Sequence, residues 1–594
     1  MLDAIATPVS SDDDVELSEE QDQASQVLDQ NIVYFDGNTT GTYSGRVGTI
    51  VILSNGQSVA LTGVYQLTVL RGSINMMGSV LSSLKDEATF PIHPFGFSHL
   101  INENSVVLLL EDVETGIEDI GRVCKIFSDA FNVQHTGSNV LRLSRVSLVT
   151  ESSTQSQFYV TPGSWDYALS SICNIEEDTH KNRSPVVFIH GPKRCGKSTL
   201  ARFLCNRFLN THQRVAYLEC DTGQTEFTPP GLVSLNVLND PLFGPPFSHP
   251  SFSYASHYIG AASPQSCPST YIESIKSLIQ TYNNGFRFSY NELSATFDDD
   301  DKRIDDVVPL IVNTMGWTKG LGKRLVEEIQ GIVEPTHIIC IRCPTTDSIP
   351  RDVSDAVIQY LEVDPIPPSV YPSRYSSADW RALSLVSYFH CVTLAVGPPF
   401  QKSGHKWNFN LPLISQPPYQ ISIDETLDGI FLTGAGAEDV ISDEIERVLN
   451  GALVALVACD ADSRGALARS KKEELPYIQG NPLPHPLSSN CVGLALIRGI
   501  SPHRITPQGK QNYDEKHRYV HLLTPLAPDM IRESGVRCLV KGELEISIWC
   551  MLDHRNPDKN YGLDAGPFLQ WRKEFAAGSE RRRIRRNLMR RGQN

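Results

Sequence analysis

The sequence predicts an α/β protein: a central phosphate-loop NTPase domain built on a parallel sheet, flanked by an N-terminal β-rich domain and a C-terminal mixed, mostly β domain. Three observations predict it. Between about residues 183 and 400, short apolar runs alternate with runs of helical period, the signature of strands joined by crossover helices. The stretch FIHGPKRCGKSTLARFL, residues 188–204, sets a glycine-rich loop between one such strand and one such helix. On both sides of this block the apolar runs are short and alternating, broken by Gly and Asn turns, as in antiparallel sheets.

The 594 residues suffice for roughly three or four domains. A 40% hydrophobic, 20% charged composition suits a globular chain with real cores. The net charge of −16 argues against a basic coat, although local basic clusters still steer anionic ligands. Thirteen thinly spread cysteines, an odd number, do not make a disulfide framework and suit a reducing compartment. Cys340 and Cys343 form one C-x-x-C inside HIICIRCP. With no second pair, buried thiols explain it better than a zinc half-site. No apolar run approaches the ~20 residues that span a bilayer, so no membrane role is expected. The N-terminus meets Asp3 and Asp12 and lacks a basic start and an apolar core, so it does not read as a secretory signal.

In chain order, residues 1–30 are acidic (SSDDDVELSEEQDQ) and poor in aromatics, and read as a disordered segment. Residues 31–165 read as the N-terminal β-rich domain, with SNG at 54–56 as a hairpin turn. In the block 183–400, PVVFIH is a strand and KSTLARFLCNRFL a helix that lines up Leu200, Phe203, Leu204 and Phe208. RVAYLECD, PLIVNT and THIICI follow as strands, with YIESIKSLI and GLGKRLVEEI as helices. TFDDDDKRIDD, residues 296–306, interrupts the pattern and reads as a solvated loop. Residues 401–578 form the C-terminal domain, with GALVALVACD, CVGLALIRGI, RYVHLLTPL and CLVKGELEI as its strands. Residues 579–594 are a basic tail.

Gly191-Pro192-Lys193-Arg194-Cys195-Gly196-Lys197-Ser198, continued by Thr199, satisfies G-x-x-x-x-G-K-[ST]. The glycines let backbone N–H groups converge on a phosphate, and the helix opening near Lys197 adds its positive end. Lys197 can reach the β- and γ-phosphates, and the Ser198 hydroxyl can ligate Mg²⁺. A phosphate-transferring site also needs a carboxylate at a neighbouring strand end. LIVNT supplies none, whereas VAYLECD ends in Asp221, a candidate for orienting a hydroxyl nucleophile and for the metal. The alternative for Asp221 is a turn cap. A guanine-reading switch would want an Asn/Thr-Lys-x-Asp after a later strand, and RCPTTDSIP lacks the Lys. Motor-ATPase signals are also missing. A kinase needs arginines on a closing segment, and YPSRYSSADWRALSLVSYF offers Arg374 and Arg381, whose planar forks suit phosphate. Surface arginines are the plainer alternative. In NTMGWTKGLG, Thr314, Gly316 and Trp317 follow a strand at the carboxyl edge of the sheet, where ligands bind. Trp317 can stack a nucleobase there or simply pack in the core.

The loop GPKRCGKST, the stretch DTGQTEFTPPGLVSL (221–235), TMGW (314–317) and SRYSSADWRALSLVSYF together resemble the polynucleotide 5′-hydroxyl-kinase family. GQTEFTPPGLVSL is most similar to the nucleolar branch that works on pre-ribosomal RNA, and less so to the branch of mRNA cleavage and tRNA splicing. The resemblance implies three domains around a phosphate-loop module, with ATP and Mg²⁺ as cofactors and a 5′-hydroxyl RNA end as substrate. Some members also act on DNA. It gives Lys197 and Ser198 to triphosphate and Mg²⁺, Asp221 to the 5′-hydroxyl with Gln224 near the metal, Thr314 and Trp317 to a clasp on the strand end, and Arg374 and Arg381 to a lid whose arginine register stays open. It also implies a Las-type endoribonuclease partner, and nuclear and nucleolar localisation. The arginine cluster at 581–591 suits that localisation or phosphate-backbone contact, and equally a solubilising tail. A different class remains possible on sequence grounds: an ATP-bound scaffold of an RNA-processing complex with little turnover.

Overall fold

The structure is a computed structural model. It describes residues 32–35, 48–83, 105–127, 141, 143–149, 160–173, 184–287, 301–342, 358–368, 375–392, 405–460, 475–501, 504–505, 511–512 and 518–551. The acidic segment 1–30, the basic tail, Arg374 and Cys343 lie outside these residues.

The central sheet has seven strands in the order Ala255–Tyr258, Leu232–Leu238, Val215–Glu219, Leu310–Asn313, Val186–His190, His337–Ile341, Gln359–Val363. The last five run parallel, and their inner members are apolar almost throughout because both faces are covered. The pleat sends alternate side chains to opposite sides. Val187, Ile189, Tyr217 and Ile311 meet the helices Gly163–Cys173 and Lys197–Leu209 on one face. Val186, Phe188, Leu218, Leu310 and Val312 meet Pro268–Gly285 and Leu321–Val333 on the other. Each fully buried aliphatic side chain contributes about 1.5–3 kcal/mol, so this core fixes the strand ends that carry the site.

Three features depart from the sequence reading. The sheet is parallel only in part, since Leu232–Leu238 and Ala255–Tyr258 add an antiparallel edge. The helix Gly163–Cys173 packs Trp165 and Leu169 into the core of the phosphate-loop helix, so the central unit begins earlier than residue 183. The DDDD run was expected to be a solvated loop. Its described part, from Asp301 onward, instead docks on the end of that helix: Arg303 donates to Leu209 O at 3.0 Å, and Ile304 N–H donates to Thr211 O at 2.8 Å.

In the N-terminal region, four strands pair in the order Ile32–Phe35, Gly48–Leu53, Val106–Asp112, Tyr65–Arg71. The SNG turn forms, with Gln57 N–H donating to Ser54 O. It does not close a hairpin, because the strand after it, Leu61–Gly63, pairs with Val146–Leu148. The true hairpin is Ser73–Met76 with Ser79–Ser82. Its tip lies on the phosphate-loop helix, where Asn206 and Asn210 donate to Met77 O and Gly78 O at 3.0 and 2.9 Å. The C-terminal region holds a six-stranded sheet, four of whose five pairings are antiparallel, and it contains the four runs read as strands. The helix Ser377–His390 ties the regions together: Leu383, Leu385 and Phe389 share a core with Ile117 and Phe127 of the N-terminal region and with Leu453 and Leu494 of the C-terminal sheet. Among the described residues no helix is long and apolar enough to cross a membrane. Among the described residues no group of three or more His, Cys, Asp or Glu side chains is placed to hold a metal ion.

Candidate active site

The phosphate loop leaves the strand Val186–His190 and enters the helix Lys197–Leu209. Gly196 caps that helix at φ 103°, a left-handed conformation that side chains other than glycine's adopt only with strain. A Cβ there would also lie 2.7 Å from Ile366. The Leu200 N–H donates to Gly196 O at 2.8 Å and closes the first turn, which leaves the preceding N–H groups facing the loop's concavity. Lys197 is buried and donates from Nζ to Pro192 O at 2.8 Å. Burial pulls its pKa down, while Asp221 and Glu219 among its neighbours pull it back. Cys195 Sγ also lies on Pro192 O, at 3.0 Å, so this part of the loop is braced from within.

Asp221 stands just beyond the strand Val215–Glu219. Its Oδ1 accepts from the N–H groups of Gly223 and Gln224 at 2.9 and 3.3 Å, which favours the ionised form and fixes the carboxylate's direction. Burial pushes its pKa up, opposed by those N–H groups and by Lys197 and Lys193. The Asp221 carboxylate therefore caps the turn that follows it, as the turn-cap alternative expects.

Two further residues complete the polar centre, and neither was singled out from the sequence. Glu219 is fully buried. It accepts the Asp221 N–H at 2.8 Å, and both its oxygens lie 3.1 Å from Asn313 Nδ2. Burial and then Asp221 push its carboxyl well above the usual range. Asn313 Nδ2 also donates to Ser198 Oγ at 3.1 Å. The strand LIVN, which offers no acid, thus offers an amide that links Ser198 to Glu219. Asn313 Oδ1 is buried and has no hydrogen-bond partner. A lone buried acceptor costs about 1–3 kcal/mol. The Ser198 hydroxyl, which accepts from the same amide, is an oxygen ligand of the kind that suits a hydrated hard cation such as Mg²⁺.

The loop after Asp221 is held by ions. Glu226, buried, receives Arg202 Nε at 2.7 Å and His249 Nε2 at 3.0 Å. Burial pushes its pKa up, and Arg202 and His249 more than offset that, leaving it below the usual value. Arg202 belongs to the phosphate-loop helix, so this pair ties the Asp221 loop to the cradle.

The remaining candidate residues come from distant segments. Gly316 lies flat on the loop: a Cβ there would fall 2.7–2.9 Å from Lys193. Trp317 is half-buried, leans on the backbone of Gly322, and has Lys193 Nζ 5.8 Å from its ring centroid. Thr314 corrects one expectation. Its side chain is fully buried and donates to Ile189 O at 2.8 Å, so it holds the phosphate-loop strand and is not free to clasp a substrate. Gln224 is exposed beside Asp221. Arg381 is half-buried on the helix Ser377–His390, whose start is set by a capping box between Ser376 and Asp379. Burial lowers the Arg381 pKa, and the charge of Asp221 opposes that.

A strand–loop–helix cradle with a carboxylate just beyond the next strand in sequence defines a P-loop phosphotransferase. Residues 191–391 match the family model described as "mRNA cleavage and polyadenylation factor CLP1 P-loop". The chain is 31% identical to the "Polynucleotide 5′-hydroxyl-kinase GRC3" of Cryptococcus neoformans var. neoformans serotype D (strain B-3501A), over 92% of this chain and 76% of that protein. It is 27% identical to the "Polynucleotide 5′-hydroxyl-kinase grc3" of Schizosaccharomyces pombe, over 82% of this chain and 63% of that protein. Among solved structures, "Structure of wild-type Clp1p-Pcf11p (454 -563) complex" aligns with a TM-score of 0.44 at 15% identity, over 84% of this chain and 97% of that one. The chain belongs to the polynucleotide 5′-hydroxyl-kinase family, and the expectation of a phosphate-loop kinase is borne out.

Proposed function

We propose that this chain transfers the γ-phosphoryl group of ATP to the 5′-hydroxyl end of RNA during ribosomal RNA maturation. The observation that supports the reading is the hydrogen-bonded line from the phosphate loop to Asp221: Asn313 donates to Ser198 Oγ and to Glu219, and Glu219 accepts the Asp221 N–H. In this scheme the loop N–H groups and Lys197 hold the triphosphate. Asp221 orients the attacking hydroxyl and accepts its proton as the bond to phosphorus forms. Arg381 balances the charge that spreads over the transferred group. Mg²⁺, held by Ser198 and Asp221, would supply further charge neutralisation on the phosphate oxygens. Trp317 would receive the terminal base. Since burial raises the Asp221 pKa, transfer should climb with pH through a limb above about 3.9, the ordinary carboxylate value.

A Las-type endoribonuclease partner, which leaves a 5′-hydroxyl for this kinase, and nuclear and nucleolar localisation belong to the same proposal. Their support is the sequence resemblance and the arginine-rich tail. The test is label transfer from γ-labelled ATP to a 5′-hydroxyl RNA. Wild-type protein should transfer, and Lys197→Ala should lose about 10³-fold or more in rate while keeping its fold by circular dichroism. A wild-type protein that binds ATP and transfers nothing would favour the scaffold.

A further inference from the structure

The loop that begins at Asp221 is held from the C-terminal region, through main chain alone. Glu543 and Leu544 follow the strand Val536–Lys541, and their N–H groups both donate to Gly260 O, at 2.7 and 3.0 Å. The N–H groups of Gly260 and Ile259 donate in turn to Gly231 O, at 3.1 and 2.8 Å, and the Gly231 N–H donates to Thr222 O at 2.7 Å. Thr222 is the residue next to Asp221. Three main-chain steps thus run from the C-terminal sheet to the neighbour of the carboxylate. Thr222, Gly231, Gly260 and Gly542 are all buried, and the contacts leave no room for side chains. A Cβ on Gly542 would overlap the backbone of Gly260, and one on Gly231 would overlap Leu544. One on Gly223 would lie 2.8 Å from Ala262 O, two residues past Gly260. The far end of the line is anchored, since Glu543 Oε1 accepts the Ala435 N–H at 2.8 Å and Lys541 O accepts the Thr433 N–H at 2.9 Å.

No rotatable side chain stands in this line to absorb a shift, and a close-packed interior passes displacement on. We infer that the turn Gly542–Leu544 is a positioning element for Asp221. It sets the Gly260 segment, which holds the Asp221 loop at two places: at Thr222 through Gly231, and at Gly223 through Ala262. Gly223 is also one of the two residues whose N–H groups bond Asp221 Oδ1, so the segment presses on the very turn that the carboxylate caps. A region that contributes no residue to the phosphate loop thereby fixes where the carboxylate is held. The inference deepens the kinase reading and rests on it for the work that Asp221 does. Gly542 is the critical residue, because any side chain there separates the two backbones.

Three variants of the full chain test it. Gly542→Ala drives a methyl group into the contact. Leu544→Ala withdraws the side chain from Gly231 and keeps both N–H donors. Gly499→Ala, in the same C-terminal sheet, is the control, since a Cβ there meets nothing nearer than 3.9 Å. Each is compared with wild type well below its unfolding midpoint. The readouts are steady-state label transfer to a 5′-hydroxyl RNA, titration of a non-hydrolysable ATP analogue, and amide hydrogen exchange. A misplacement of about 1 Å can cost about 10²-fold in rate. Gly542→Ala should therefore lower kcat by about 10²-fold and leave the affinity for the analogue nearly unchanged. Exchange should quicken at Gly223, Gln224 and Gly231 and stay as in wild type along the phosphate-loop helix. Leu544→Ala should show the same pattern to a smaller degree, and Gly499→Ala should show neither change. If Gly542→Ala does not fold, Leu544→Ala decides by the same readouts. A kcat within twofold of the control, with exchange quickened only in the C-terminal sheet, would overturn the inference and make the turn a packing element of its own region. A loss of analogue affinity equal to the loss in kcat would overturn it as well, by placing the effect at the cradle. Wild-type protein that transfers nothing would remove the assigned reaction, and the exchange comparison would still decide whether the turn holds the loop.

Discussion

The phosphate loop is made from consecutive residues, 191–199, braced by their own hydrogen bonds on Pro192 O. The residues proposed for the strand-end side come from pieces far apart in sequence: Trp317 from the loop after one strand and Arg381 from a helix whose core is shared by three regions of the molecule. Backbone geometry fixes the first and tertiary packing the second. The first is therefore proof against distant change, whereas the second depends on how the flanking regions seat the helix Ser377–His390. A kinase that must admit a large substrate gains from this division.

Substitutions on the assembled side separate the two. Arg381→Ala should give the largest effect, a fall of about 10³–10⁵-fold in the transfer rate, with ATP affinity nearly unchanged because the cradle does not depend on it. Rapid-quench transfer and nucleotide titration measure both. A loss below tenfold would remove Arg381 from the lid. Trp317→Ala should weaken RNA binding by about 1–3 kcal/mol and leave ATP binding largely intact. Equal losses of both would make the indole a packing residue that holds Gly322 and the loop.

The smallest expected effect sharpens the comparison through pH. Burial drives His190, His257 and His390 down to about 4. His190 precedes the loop, and His390 ends the helix that carries Arg381. A histidine whose folded pKa lies below its unfolded value of about 6.5 contributes stability above that value and loses it as pH falls toward 4. Thermal unfolding should therefore show a stability decline setting in below about pH 6.5. Substituting His390 with Gln should blunt it in the lid region, and a flat profile across that window would contradict the neutral burial of these rings.

The contrast also decides what the sequence could show. The loop, Asp221 and Trp317 were legible because a short motif beside a strand end is a local signal. Glu219 escaped because it sits inside the apolar run VAYLE, where strand alternation reads as core, and its role depends on Asn313 from another strand. Asn313 escaped because an acid was sought at that strand end. Glu226 and Arg202 lie 24 positions apart, and their ion pair exists only once the Asp221 loop folds back on the helix. Thr314 was misassigned for a related reason: its position marks the edge of the sheet, but only packing shows its hydroxyl turned to Ile189. The antiparallel edge escaped too, because LVSLNVL has the composition of a parallel core strand.

The central claim is that the triphosphate cradle and the site for the strand end face each other across Asp221. A bisubstrate ligand tests it most directly: an adenosine 5′-polyphosphate joined covalently to the 5′ end of a short RNA, titrated against the wild-type protein. The account predicts affinity about 10²–10⁴-fold above that of either half alone, with the gain lost in Trp317→Ala. A ligand that binds no more tightly than ATP would place the two sites apart and contradict it.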